Sequence, residues 1–542
     1  MKRSIALLGS TTLAVALAAP TIPAQAASPG PYTATTAASA LHHSLKTTTT
    51  LTSLDVGMAG ASVDSEGLEP VKAELGWDLI TEARGRAGAI GGLASLKLNG
   101  NEVAPGITNP RIARAIAPGD QPVSQKDLEQ RVNTAVYARA IERTASPYWN
   151  GAACVIGEPI AQGTFQAALV QAVGSDPGSP TGPVKDPLAA VYAEAGAPAR
   201  GAVDSRSALQ LYAGAGNGFG LMAASMVTVA PVTIFEGTAN EFSVEVDGPV
   251  ILRARADGTP GGAAVTFQAP TVSYFRNGER TVLVPDKPTT IVLPGETSPV
   301  KVTLMLEEHT QKLASNGTSA EASGAAVKLV IEGAGATDTI AIGAVEAEVS
   351  VPADGITCTV PVIKDATPDS VGTGNEFTTN ITVQNPYACD LADVILSDDI
   401  ETLRNARFEI TDAPGAISKT GGTLLDTGKV SWKVGTIEAG GEKTVTMVQE
   451  AQGSAGVIED EATATGRLLN CIVSLAADST DVTGLGLGSV GVTGSGTLAV
   501  DVSQVLGGGI LPETGVGSAA PIGLAMLTLA GTLGALMRRR IA

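Results

Sequence analysis

The sequence predicts a mainly β protein: a β-sandwich N-terminal region with one amphipathic helix, a second β-sandwich, and a C-terminal hydrophobic anchor helix. Three observations predict it. Ala, Gly, Thr and Val dominate a chain of 542 residues that holds 64 Gly and 31 Pro and only 3% aromatics, a composition suited to short strands and turns. Apolar and polar residues alternate repeatedly between 202 and 353, as in Phe242, Val244 and Val246 against Ser243, Glu245 and Asp247. Such alternation puts one face of a strand on a core and the other in water. Turn dipeptides separate the runs: Asp247-Gly248, Asp257-Gly258, Asn277-Gly278, Asn316-Gly317 and Asp354-Gly355.

The length calls for two or three folded units. Residues 1–26 read as a secretory signal peptide. Lys2 and Arg3 form its charged start, Ile5 to Ala19 its apolar core, and Ala24-Gln25-Ala26 its small-residue cleavage site before Ala27. Residues 27–50, small, polar and repetitive, read as a disordered lead-in. Residues 51–357 form the β-rich surface region, with the Pro/Gly-rich stretch 174–200 as a long loop or a subdomain boundary. Within it, Val123 to Ala145 predicts a helix. Leu128, Val132, Ala135, Val136, Ala140 and Ile141 fall near helical spacing between Pro122-Ser124 and Ser146-Pro147. Val302, Leu304 and Leu306, then Val327, Leu329 and Ile331, mark two further strands.

In 358–482, Phe377, Thr379, Ile381 and Val383 alternate up to an Asn385-Pro386 turn. Val430, Trp432 and Val434 give another strand, Gly440-Gly441 a turn, and Thr444 to Val448 the next. The runs GTGNEFTTNITVQN (372–385), VSWKVGTIEAGG (430–441) and DEATATG (460–466) resemble the Ig-like conserved-repeat modules of Gram-positive surface proteins. That resemblance implies an Ig-like sandwich acting as a stalk or spacer. It also implies a cross-link, because related wall-protein modules join a strand lysine to a strand Asn or Asp through an isopeptide bond, assisted by a buried acid. Here the residues would be Lys364, Glu376 and Asp460, with Lys364 as an ordinary edge-strand charge the alternative. Residues 483–510, rich in Gly and Ser, read as a flexible wall-spanning linker.

At the C-terminus, Leu511-Pro512-Glu513-Thr514-Gly515 precedes an uncharged stretch, Val516 to Met537, and then Arg538-Arg539-Arg540. As a helix the stretch would be about 33 Å long, enough for a hydrocarbon core, and the arginines would hold its end on the cytoplasmic side. The order resembles the sorting signal of LPXTG-type, sortase-anchored Gram-positive surface proteins of actinobacterial kind, over residues 511–542. The resemblance implies sortase cleavage between Thr514 and Gly515, covalent attachment of Thr514 to peptidoglycan, and membrane contact only through the tail before processing. The plain alternative is a C-terminal membrane anchor.

The formal net charge is −19, and setting aside the five terminal cations leaves 30 Lys and Arg against 54 Asp and Glu. Such a surface repels nucleic acid. Four cysteines in an exported chain allow three pairings. Cys389, after a turn, with Cys471, after the last strand, is the favoured pair, and it leaves Cys154 with Cys358. His42 and His43 sit in the lead-in and His309 near a strand end, without metal-ligand spacing. Gly214 to Gly220 lacks dinucleotide or Walker spacing and reads as a loop between strands. Asp393, Asp398 and Asp399 match no calcium loop and read as exposed acids. No catalytic residue, metal or cofactor is expected. The leading expectation is a non-enzymatic wall-anchored protein with a structural, adhesive or display role and an extracellular ligand. The alternative is a wall-anchored glycan-active hydrolase using paired carboxylates. Against it, Trp77, Trp149, Trp432 and Tyr148 are scattered, and Trp432 alternates like a core residue.

Overall fold

The computed structural model describes residues 31–503 apart from 48–49, 74, 76, 100, 103–111, 133–135, 150–153, 157–158, 173–190, 195–201, 215–217, 237, 296–298, 308, 334–335 and 470–489. Regular structure among the described residues is strand alone, in sheets of eleven, twelve, eight and two strands.

In the eleven-stranded sheet, Thr33–Lys46 and Ala336–Ser350 run antiparallel at the centre, with Thr33 opposite Ser350. Leu51–Asp64 and Ala87–Leu98 extend it one way, and Val327–Gly333, Val300–Leu306 and Thr289–Leu293 the other. The twelve-stranded sheet lies against it and is built around Val136–Pro147, Ala161–Ala172, Val203–Ala213, Phe219–Val229 and Val250–Ala256. Ser207 Oγ donates to Ala59 O at 2.9 Å and Ser225 Oγ to Glu346 O at 3.2 Å across the interface. The layers approach closely because their facing residues are small. A Cβ on Gly91 would lie 2.1 Å from Thr164 O, and one on Gly163 would lie 2.1 Å from Ile90 O, so only glycine fits there.

The predicted strands of 202–353 are present. Phe242, Val244, Val302, Leu304, Val327, Leu329 and Ile331 are buried on their strands. Asn277 and Gly278, at φ 53° and 82°, form the two-residue turn between Thr271–Arg276 and Glu279–Val282, the left-handed pair such hairpins need.

Three expectations for the first sandwich are corrected. The stretch read as a disordered lead-in contains the central strand Thr33–Lys46. Its Ala37, Ala38, Ala40 and Leu41 are enclosed; small residues fill a narrow gap between layers although their low hydrophobicity resembles that of a disordered segment. The predicted helix over Val123 to Ala145 is instead the antiparallel strand pair Val123–Val132 and Val136–Pro147. Val136 and Ala138 face inward, then Ile141, Arg143 and Ala145. Ala140, at φ 48°, shifts the alternation by one residue, and this break in a period of two imitates helical spacing. The supposed boundary near 174–200 separates no units among the described residues, since Ala161–Ala172 and Val203–Ala213 pair within one sheet.

The eight-stranded sheet is the second sandwich. Its order is Val362–Thr367, Glu376–Gln384, Glu442–Leu469, Asp390–Asp412, Thr427–Ile437 and Ala416–Lys419, with Val490–Ser503 also on Glu442–Leu469. Phe377, Thr379, Ile381, Val383, Val430 and Trp432 are buried as the alternation requires. Asn385 secures its turn by donating from Nδ2 to the carbonyls of Cys389, Ile437 and Glu438 at 2.8, 3.0 and 3.0 Å. Val490–Ser503 replaces part of the expected 483–510 linker and moves the end of the module to Ser503. Its inward positions include Gly494 and Gly496, where a Cβ would lie 1.8 Å from Val360 O and 2.3 Å from Val362 O. The glycines that admit the crossing backbone also hide the strand's apolar period.

Candidate functional site

The second sandwich encloses a lysine between two aspartates. Lys364 continues the inward row Val362, Lys364, Ala366 of its edge strand. Asp398 continues the inward row Val394, Leu396, Asp398, Ile400, and Asp460 the row Ile458, Asp460, Ala462 on the neighbouring strand. Ile400 stands opposite Asp460 and Asp398 opposite Ala462, so the two carboxylates are diagonal neighbours on one face. Lys364 Nζ donates to Asp398 Oδ1 at 2.5 Å and also contacts Asp460 Oδ1. The side chains of Lys364 and Asp398 are 0% exposed and that of Asp460 1%.

Burial dominates the electrostatics. Removal from water, and then the neighbouring Asp398, push the Asp460 carboxyl well above the usual carboxylate range, while Lys364 pulls the other way. One oxygen of each aspartate, Oδ2, has no hydrogen-bond partner among the described residues. The chemistry this permits is direct. An uncharged amine beside a protonated carboxyl can form an amide with loss of water, provided a second carboxylate carries the proton.

Lys364 and Asp460 are therefore brought together, but Glu376 is not with them. It is exposed at the start of Glu376–Gln384, out of phase with Phe377 and Thr379. The acid in the cluster is Asp398, and its expected exposure is corrected, since its side chain is fully enclosed. The inward parity of Val394, Leu396 and Ile400 was the available signal. Asp399, one residue on, is exposed and pairs with Lys429 at 2.9 Å. Asp393, at φ 54°, lies where the pairing shifts register. The edge-strand alternative for Lys364 fails because its head group is enclosed.

Elsewhere, Cys154 and Cys358 are joined, with a Cα–Cα distance of 5.8 Å, as the favoured pairing leaves them. Cys389 is disulfide-bonded too; Cys471, its expected partner, lies outside the described residues, as do Ala26, Ala27 and Leu511 to Gly515. His42 and His43 occupy successive positions of the central strand and meet different carboxylates. His42 Nδ1 lies 2.8 Å from Asp55 Oδ1, and His43 Nε2 lies 2.5 Å from Asp338 Oδ1. His309, half-buried, stacks on Phe267 with centroids 5.0 Å apart. Gly214 and Gly218 close a loop between Val203–Ala213 and Phe219–Val229, the Gly214 N–H donating to Gly218 O at 3.2 Å.

On the wet face of the second sandwich lies an open groove of about 620 Å³, bordered by Asp399, Glu401, Glu459 and Glu461. Asp399 stands opposite Glu461, and Glu401 opposite Glu459. Its lining contains no aromatic side chain, so it lacks the stacking surface expected of a sugar site. No family model and no curated protein matches this chain.

Proposed function

We propose that this chain is a secreted, sortase-anchored protein of a Gram-positive cell surface, non-enzymatic, with a structural, adhesive or display role. The β-rich region would be held outward on an Ig-like module. The single observation that carries the anchoring is the ordered run of Leu511 to Gly515, Val516 to Met537 and Arg538 to Arg540. Sortase would cut after Thr514 and transfer its carbonyl to peptidoglycan. No nucleic acid or cofactor takes part.

A stalk under tension benefits from covalent strapping, and the enclosed Lys364 cluster supports such a strap. Lys364 Nζ, as the free amine, attacks the protonated Asp460 carboxyl carbon. Asp398 accepts a proton from the nitrogen and returns it to the departing hydroxyl. A Lys364–Asp460 amide and one water result, and Asp398 is regenerated.

Two measurements on mature protein released from cells by wall-digesting enzymes test this. The expected C-terminal peptide ends at Thr514 with peptidoglycan stem atoms attached; protein extracted by detergent alone with Arg538 to Arg540 intact ends the anchoring reading. The expected intact mass, after the disulfides are counted, is lower by one water, with a Lys364–Asp460 peptide in the digest. An undiminished mass ends the strap and leaves the anchoring reading standing.

A further inference from the structure

The second sandwich holds its first and last segments side by side and pointing the same way. Its entry is fixed to the first sandwich, since Ile356 pairs with Phe219 and Cys358 is bonded to Cys154. The next residue, Thr359, bridges Thr493 in parallel, and the Val360 N–H donates to Thr493 O at 3.1 Å. The chain then pairs with Glu376–Gln384 as Val362–Thr367. It returns as Ser370–Gly372, parallel to the end of Val490–Ser503. There Ser503 O accepts from the Thr373 N–H at 2.9 Å and from Thr373 Oγ1 at 3.3 Å. The other edge of Val490–Ser503 is occupied too, antiparallel to Glu442–Leu469, with Val490 opposite Leu468 and Val502 opposite Gly456.

Strand direction decides how such pairs meet a pull. Parallel strands drawn from opposite ends slide along each other, and their evenly spaced hydrogen bonds strain together. A pull on Cys358 and on the chain beyond Ser503 has this geometry, because the pairing begins at Thr359 and ends at Ser503. The first sandwich has the opposite arrangement. Thr33 stands opposite Ser350, so a pull on those two residues opens the antiparallel pair one rung at a time.

We infer that the second sandwich bears tension along the chain, and that its grip is the seating of Val490–Ser503 between these two neighbours. The grip follows from strand direction alone; the source of the load rests on the stalk role proposed above. Asp460 stands opposite Leu498, so an amide from Lys364 passes the load to the same strand, again through sliding pairs. The last strand is the non-covalent link that limits the force the module carries.

The test pulls single molecules of the full chain between two handles in optical tweezers. One handle is the C-terminal end. The other is an azidophenylalanine placed at Ala353 or at Asn375, both exposed. From Ala353 the pull enters ahead of Thr359 and slides the parallel pairs. From Asn375, just past Thr373, it enters beside Ser503 and peels the last strand from its end. Thr357, also exposed, gives a second attachment on the sliding axis should the one at Ala353 disturb folding. With melting temperatures equal, the sliding axis should rupture at a several-fold higher force than the peeling axis, because forced unfolding follows the barrier along the pulled direction and not the overall stability. Equal forces on the two axes, or a weaker sliding axis, overturn the inference. The anchoring reading is judged separately by the C-terminal peptide, and its failure would leave these forces as measured.

Discussion

Two lysines in this molecule stand near two aspartates, and their settings differ in the one respect that decides reactivity. Lys364 is sealed with Asp398 and Asp460 in the core of the second sandwich. Lys97, on Ala87–Leu98, is itself buried, 3.4 Å from Asp78. Its charge also acts on Asp55. The Asp78 side chain is 27% exposed and has Lys72 within 4.0 Å as well. Asp78 thus meets both water and a second cation. Asp460 has neither, and burial drives it toward the protonated form. The comparison teaches that an amide needs enclosure of the acid as much as proximity of the amine.

The largest expected effect is therefore at Lys364. Lys364→Ala should lower the stability of the second sandwich by about 3–5 kcal/mol, because the Lys364–Asp460 link is lost and two buried aspartates are left without their partner. Chemical denaturation followed by Trp432 fluorescence reads this, and the water lost in the wild type should be regained in the mass. A variant as stable as wild type would remove the strap from consideration. Asp398→Asn keeps the shape of the cluster but not its proton carrier. It should leave the mass undiminished and destabilise by about 1–3 kcal/mol.

In the first sandwich the corresponding staple is Cys154–Cys358. Replacing both with serine should lower stability by about 2–4 kcal/mol, judged by thermal unfolding. Lys97→Gln should cost about 1–3 kcal/mol, since it removes a buried partner of Asp78, with no loss of water from the mass, and a mass lower by one water in the sandwich peptide containing Lys97 would break the contrast between the lysines.

The smallest effect concerns pH. Burial is the largest single influence on His42 and opposes its protonation, but the hydrogen bond to Asp55 and the charges of Asp55, Glu307 and Glu346 together outweigh it and raise the imidazole above its ordinary value. A raised histidine contributes stability that is fully present below about pH 6.5 and lost as pH climbs through the folded value. Burial also raises Asp55, so the protonated acid favours the fold and this share fades as pH rises from the carboxylate range. Glu307 and Glu346 act on the imidazole, and Lys97 and His43 on Asp55. His42→Gln should flatten the fall in melting temperature between pH 6 and 8. An unaltered slope would assign that fall to other groups.

Much of the second sandwich was legible because its strands follow a period of two, from Phe377 to Val383 and from Val430 to Trp432. The resemblance to wall-protein modules points to Lys364 and Asp460, whereas the period of two points to Asp398, which follows Leu396 on the inward face. Other failures came where that period is broken or hidden. Ala140 interrupts it at a positive φ, Gly494 and Gly496 erase its apolar members, and Thr33–Lys46 is too poor in large side chains to announce burial. Trp77 and Arg114 line one cavity because a hairpin closes over a distant strand, which no local pattern encodes.

Thr33 opposite Ser350 has a consequence for how the molecule is made. A chain emerging from the ribosome N-terminus first exposes Thr33–Lys46 long before its central partner exists. The hairpin with Leu51–Asp64 can form at once, but its other edge waits for Ala336–Ser350. Until then it offers an open strand to any neighbour. Maturation of the first sandwich is thus a late, concerted event that favours slow folding. Truncations that stop before Ser350 should yield aggregates rather than a smaller domain.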